Sequence, residues 1–148
     1  MPRSASRPAD YCTCFLLRKL TRRVTQAYDR AISASGLTIT QYSLLRHLER
    51  KPGISVSTLA QRMGMDRTTL IRTLKPVVQS GWARYGEQAA GLSAALELTA
   101  GGAERLKAAG PLWSRAQSDL RTQLGGARTE DLNALLSASL STFDEEAA

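Results

Sequence analysis

Arg67, Thr68, Thr69, Arg72 and Lys75 fall on the N-terminal and outward faces of one predicted helix. An arginine so placed can grip guanine O6 and N7 through two parallel hydrogen bonds. A threonine can meet a phosphate or the methyl group of thymine. The chemistry is that of contact with double-stranded DNA in the major groove. A plain solvated helix face would explain one Arg and one Lys, but explains less well a set that follows directly on the tight Gly64-Met65 turn. Arg84 adds a further cation beyond the helix.

Other reactive side chains are few. Cys12 and Cys14 are the only cysteines. Two apart on a helix they would point about 200° away from each other, which disfavours an intra-helical disulfide. As thiols they could sense an oxidant through a sulfenic acid or an inter-subunit disulfide. As small apolar residues they could equally pack at a subunit interface. With His47 the single histidine, the ligand set is too small for a zinc site, and no metal or cofactor is expected. His47 reads as a packed or surface residue, and Trp113 as core. No Gly-rich phosphate loop, nucleophile elbow or His-Glu metal motif is present, so an enzyme is not expected. Asp66, beside Arg67, reads as a helix cap.

The elements that must carry these groups follow from periodicity. Residues 1–10 have no pattern and read as a flexible arm. From Tyr11 the residues Phe15, Leu16, Leu20, Val24, Ala27, Ala31 and Ile32 recur at three- and four-residue steps up to a Gly36 stop. Thr40 is expected to cap a second helix that closes at Lys51-Pro52-Gly53. Thr58 to Met63 and Arg67 to about Gln79 form a helix-turn-helix, with Pro76 expected to bend or loosen the second helix. Two short strands, 82–85 and 94–98, flank a hairpin tip. Thr99 caps a long helix that Gly110-Pro111 could kink, and Thr129 caps the last one.

The fold class is therefore mainly α with a small β-wing. A winged helix-turn-helix at about 40–98 sits between helices at 11–36 and 99–146, all within one domain spanning 11–148. The outer helices carry apolar stripes too long for so small a body to bury, which points to a symmetric homodimer. Charge is divided as well. Residues 1–84 hold fifteen Lys/Arg against four Asp/Glu, a net of +11, whereas residues 85–148 carry a net of −4. One basic part would meet a polyanion. No apolar run approaches the roughly 18–20 residues of a membrane span, and the start of the chain is polar, so the expected location is the cytoplasm.

Taken in order, Gly36-Leu37-Thr38-Ile39-Thr40-Gln41-Tyr42-Ser43-Leu44-Leu45, then residues 59–70, then Leu98-Thr99 with Gly102, resemble the MarR family of winged-helix regulators over about residues 11–145. The resemblance implies a cytoplasmic homodimer, often a repressor, released from its operator by a small ligand or by oxidation. It implies a pocket for a small aromatic or phenolic effector, for which Arg18, Tyr28, Tyr42, Arg46 and His47 are candidates. Cys14-Phe15-Leu16-Leu17 is similar to the reactive-cysteine segment of hydroperoxide-sensing members. Tyr28 matches one tyrosine of that site, while Arg18 and Ile39 stand at two others. The wing departs from the family, because Ala90 and Leu92 occupy the places of an Asp-x-Arg pair. No Lys or Arg occurs between Arg84 and Arg105. That bare wing sustains an alternative, a protein-interaction adaptor that keeps the fold with weak or lost DNA binding.

Overall fold

The computed structural model describes residues 12–87 and 93–146. Helix α1 (Thr13–Ile32) tightens into a 3-10 turn (Ser33–Ser35) before Gly36 ends it in the left-handed region at φ 77°. Helix α2 (Ile39–Arg50) starts two residues earlier than a cap at Thr40, expected from sequence, would set it. Thr38 is the cap. Its hydroxyl accepts from the Gln41 amide at 3.2 Å, and the Gln41 side chain accepts from the Thr38 amide at 3.0 Å. This reciprocal box satisfies two otherwise orphaned donors, which Thr40 has no partner to match.

Strand β1 (Ile54–Ser55) leads directly into α3 (Val56–Arg62), and α4 (Arg67–Gln79) follows the turn. Strands β2 (Ala83–Tyr85) and β3 (Ala95–Leu98) complete an antiparallel sheet in the order β1-β3-β2. Three strands thus replace the two expected, because Ile54 pairs with Leu96. A two-residue strand is too short to show alternation. Helix α5 (Ala100–Leu124) is capped by Thr99, and α6 (Gly126–Glu146) follows Gly125. Thr129 does not cap α6. It lies inside the first turn and donates its hydroxyl to the Gly125 carbonyl at 2.9 Å.

Neither internal proline ends its helix: α4 continues to Gln79 and α5 to Leu124. Pro76 and Pro111 are both exposed, so water can satisfy the carbonyl that each leaves without a donor.

One core joins these elements. Leu44, Leu45 and Leu48 of α2, Leu59 of α3, Leu70, Leu74 and Val77 of α4 and Leu96 of β3 are fully buried together, closed by Ile32 of α1 and Leu106 and Ala109 of α5. The outer helices behave differently. Phe15, Leu16, Leu17 and Leu20 of α1 and Leu135, Leu136, Leu140 and Phe143 of α6 remain exposed. A single chain therefore buries the winged helix and leaves much of α1 and α6 open.

Candidate nucleic-acid interface

The turn between α3 and α4 is built by backbone chemistry. Gly64 takes φ 61°, a conformation that costs glycine nothing. The Met65 amide returns to the Ala60 carbonyl at 2.9 Å. Asp66 then caps α4, accepting from the Thr69 amide at 2.8 Å and the Thr69 hydroxyl at 2.7 Å. Those two hydrogen bonds hold the Asp66 carboxyl below its ordinary 3.8.

With Leu70, Leu74 and Val77 buried, the helical advance of about 100° per residue aims Thr68, Arg72 and Lys75 at solvent. Arg67 is exposed beside them at the first turn. Among the described residues no carboxylate pairs with Arg67, Arg72 or Lys75. Thr69 differs from its neighbours, being half-buried with its hydroxyl proton engaged by Asp66.

Arg84 is not an open cation either. The register of β2 and β3 sets it opposite Glu97, and its guanidinium meets that carboxylate at 2.8 and 2.9 Å. Sequence reasoning missed Glu97 because only the strand register reveals the pair. It also missed Ile71, which stands 48% exposed among the α4 cations. The wing-tip positions Ala90 and Leu92 and the arm at 1–10 lie outside the described residues.

The wing is hung from α5 at one tight point. The Thr99 amide donates to the Trp82 carbonyl at 3.1 Å, and the Thr99 hydroxyl to the Gly81 carbonyl at 2.5 Å. Gly102 packs against the same strand entry, where a Cβ would fall 2.0 Å from the Trp82 carbonyl oxygen. Glycine is required there by contact rather than by backbone angle.

The five candidate effector residues do not form one site. Tyr42 and Arg46 line an open groove of about 550 Å³ between α2 and α5. Trp113, half-buried rather than wholly core, stacks on Tyr42 with ring centroids 5.8 Å apart, and Lys107 lies on the same groove. Arg46 is paired with Glu49. Tyr28 belongs to a separate crevice of about 310 Å³ among α1, α5 and α6. There its hydroxyl donates to Gln117, and burial pushes the phenol above its ordinary 10.0. His47 lines neither space, its Nδ1–H donating to the Ser43 carbonyl at 2.7 Å, and Arg18 is an exposed residue of α1.

Cys12 and Cys14 are free and exposed. Cys12 precedes α1 with φ −59° and ψ 124°, so the helical separation assumed for the pair does not apply. Among the described residues there is no group of three potential metal ligands, and no helix is long and apolar enough to cross a membrane.

Residues 35–91 match the MarR family sequence model. The M. tuberculosis transcriptional regulator MosR is 34% identical, with a TM-score of 0.75 over 89% of this chain and 98% of that one. The chain belongs to the MarR family. Its fold is that of the winged-helix MarR regulators, a family whose members are in general not enzymes. MosR in complex with DNA is similar at 35% identity and a TM-score of 0.74, over 89% of this chain and 98% of that one. The repressor CouR bound to p-coumaroyl-CoA shares the fold at 22% identity and a TM-score of 0.79, over 87% of this chain and 91% of that one. No curated protein sequence matches the chain.

Proposed function

We propose that this MarR-family protein is a cytoplasmic, homodimeric, sequence-specific DNA-binding repressor in which α4 enters the major groove. The observation that carries the reading is the α4 face, where Arg67, Thr68, Arg72 and Lys75 project together and no described carboxylate neutralises the three cations. Residues 40–98 form the reading unit, and residues 11–36 and 99–146 form the dimer. The exposed apolar stripes of α1 and α6 support that division, since leaving Leu135, Leu140 and Phe143 in water is unfavourable. MosR and CouR are both seen on DNA, which favours this reading over the adaptor. Thr69 acts mainly by holding the cap, and Arg84 is held back by Glu97.

Binding assays test the reading. Arg67→Ala and Arg72→Ala each weaken binding to a selected duplex by about 1–3 kcal/mol if each makes a bidentate base contact. Unchanged affinity in both would remove α4 as the reading element.

The α2–α5 groove suits a small aromatic or phenolic anion, with Tyr42 and Trp113 as its wall and Lys107 as its cation, since Arg46 on the same groove is paired with Glu49. Oxidation is the second route to release, since both thiols are exposed. Peroxide is then expected to free DNA from the wild type and not from Cys14→Ser; equal release from both would dismiss it.

A further inference from the structure

Ile71 is the one large aliphatic side chain that α4 exposes, at 48% of its surface. The rest of the apolar set on this helix, Leu70, Leu74 and Val77, is fully buried, and Val78 is packed against the core. Ile71 lies one turn beyond Arg67 and Thr68 and one turn before Lys75, so its neighbours on the surface are cations and a hydroxyl. No other large hydrophobic side chain of α4 is exposed. A lone isoleucine gains nothing from water at this position. It gains on docking only if the surface it meets carries an apolar group among polar ones.

A DNA major groove offers one such group on its base edges, the C5-methyl of thymine. Isoleucine suits that target. Its β-branch leaves one strongly preferred χ1 on a helix, so the γ-methyl is presented in nearly fixed geometry with little χ1 entropy left to lose. We propose that Ile71 is a specificity-determining residue that reads a thymine methyl, one in each half-site, beside the guanine taken by Arg67 or Arg72. The proposal rests on the reading that α4 enters the major groove. It adds a discrimination that arginine cannot supply. Burial of one methyl-sized contact is worth about 0.8 kcal/mol, which is about fourfold in affinity per half-site.

The test uses the full-length protein and a duplex that it selects from a random pool. Each thymine of that duplex is replaced singly by deoxyuridine, which removes the methyl and leaves the hydrogen-bonding edge intact. Affinities are then measured for the wild type, Ile71→Ala, Ile71→Val, Arg67→Ala and Arg72→Ala. The expected result is one thymine per half-site at which deoxyuridine weakens the wild type about fourfold and has no effect on Ile71→Ala. Ile71→Val, which keeps the β-branch, retains most of the sensitivity. Ile71 is exposed, so these variants fold.

A duplex without an enriched thymine overturns the proposal, as does equal sensitivity of wild type and Ile71→Ala at every thymine. If Arg72→Ala weakens binding while deoxyuridine is silent, only the role of Ile71 falls. If Arg67→Ala and Arg72→Ala both bind normally as well, the α4 reading falls with it.

Discussion

Glu97→Gln should strengthen DNA binding, an unusual direction for a substitution at a wing. In the folded protein Arg84 spends its charge on Glu97 across the β2–β3 ladder, at 2.8 Å with 70% and 38% of the two side chains exposed. An exposed pair of this kind is worth about 0.2–1 kcal/mol. That is the cost of turning Arg84 toward a phosphate. Removing the carboxylate cancels the cost and deletes a negative charge that would face the backbone. The gain is therefore up to about fivefold in affinity per half-site. A newly recruited cation also steepens the dependence of log affinity on log salt by about 0.9 for each half-site occupied. Fluorescence anisotropy on one selected duplex across a salt series measures both quantities. Arg84→Ala alone should change little, and in the Glu97→Gln background it should abolish the gain. Two results would refute the reasoning. One is an unchanged affinity and slope in Glu97→Gln; the other is a slope that falls by about one per half-site in Arg84→Ala alone, which would mean that Arg84 already sits on a phosphate.

Further outcomes follow from the packing and the caps. Gly102→Ala must displace the Trp82 carbonyl 2.0 Å from the new Cβ and should cost about 1–3 kcal/mol or more, seen as a lower urea midpoint; a wild-type midpoint would contradict the contact. The Asp66 carboxylate binds its proton less readily folded than unfolded, so its contribution is complete above 3.8 and is lost as pH falls below that value. The melting-temperature gap between wild type and Asp66→Ala should therefore hold at neutral pH and narrow toward about pH 2; a constant gap would dismiss the charged cap. Leu140→Glu with Phe143→Glu should shift sedimentation from dimer to monomer while the melting of the buried winged helix is retained. A persistent dimer would place the interface elsewhere.

Much of the fold was legible because its signals are local. Asp66 before an apolar 3.6-residue pattern located the first turn of α4, and Gln79 its last, since a cap and a stop act within a few residues. Two nearby threonines blurred the start of α2. The choice of Thr38 depends on the reciprocal bond from Gln41, three residues on. Strand β1 was invisible because two residues carry no period and owe their conformation to Leu96 and Ala95 across the sheet.

The candidate site divides in the same way. The outward set on α4 follows from helical spacing alone. The pairing of Arg84 with Glu97 depends on register. Ile71 was hidden because an apolar helix residue reads as core until its face is known. The effector candidates scattered for a tertiary reason: Tyr42 and Arg46 share a groove only because α5 brings Trp113 and Lys107 against them. Tyr28 and His47 meet other partners.

Guanine N7 protection on a selected duplex tests the central claim most directly, because N7 lies on the major-groove edge that an arginine of α4 would cover. A dimer with two reading helices predicts two protected clusters about one helical turn apart, roughly 10–10.5 base pairs. Both should weaken together in Arg72→Ala. A single cluster, or protection unchanged in Arg72→Ala, would contradict the account.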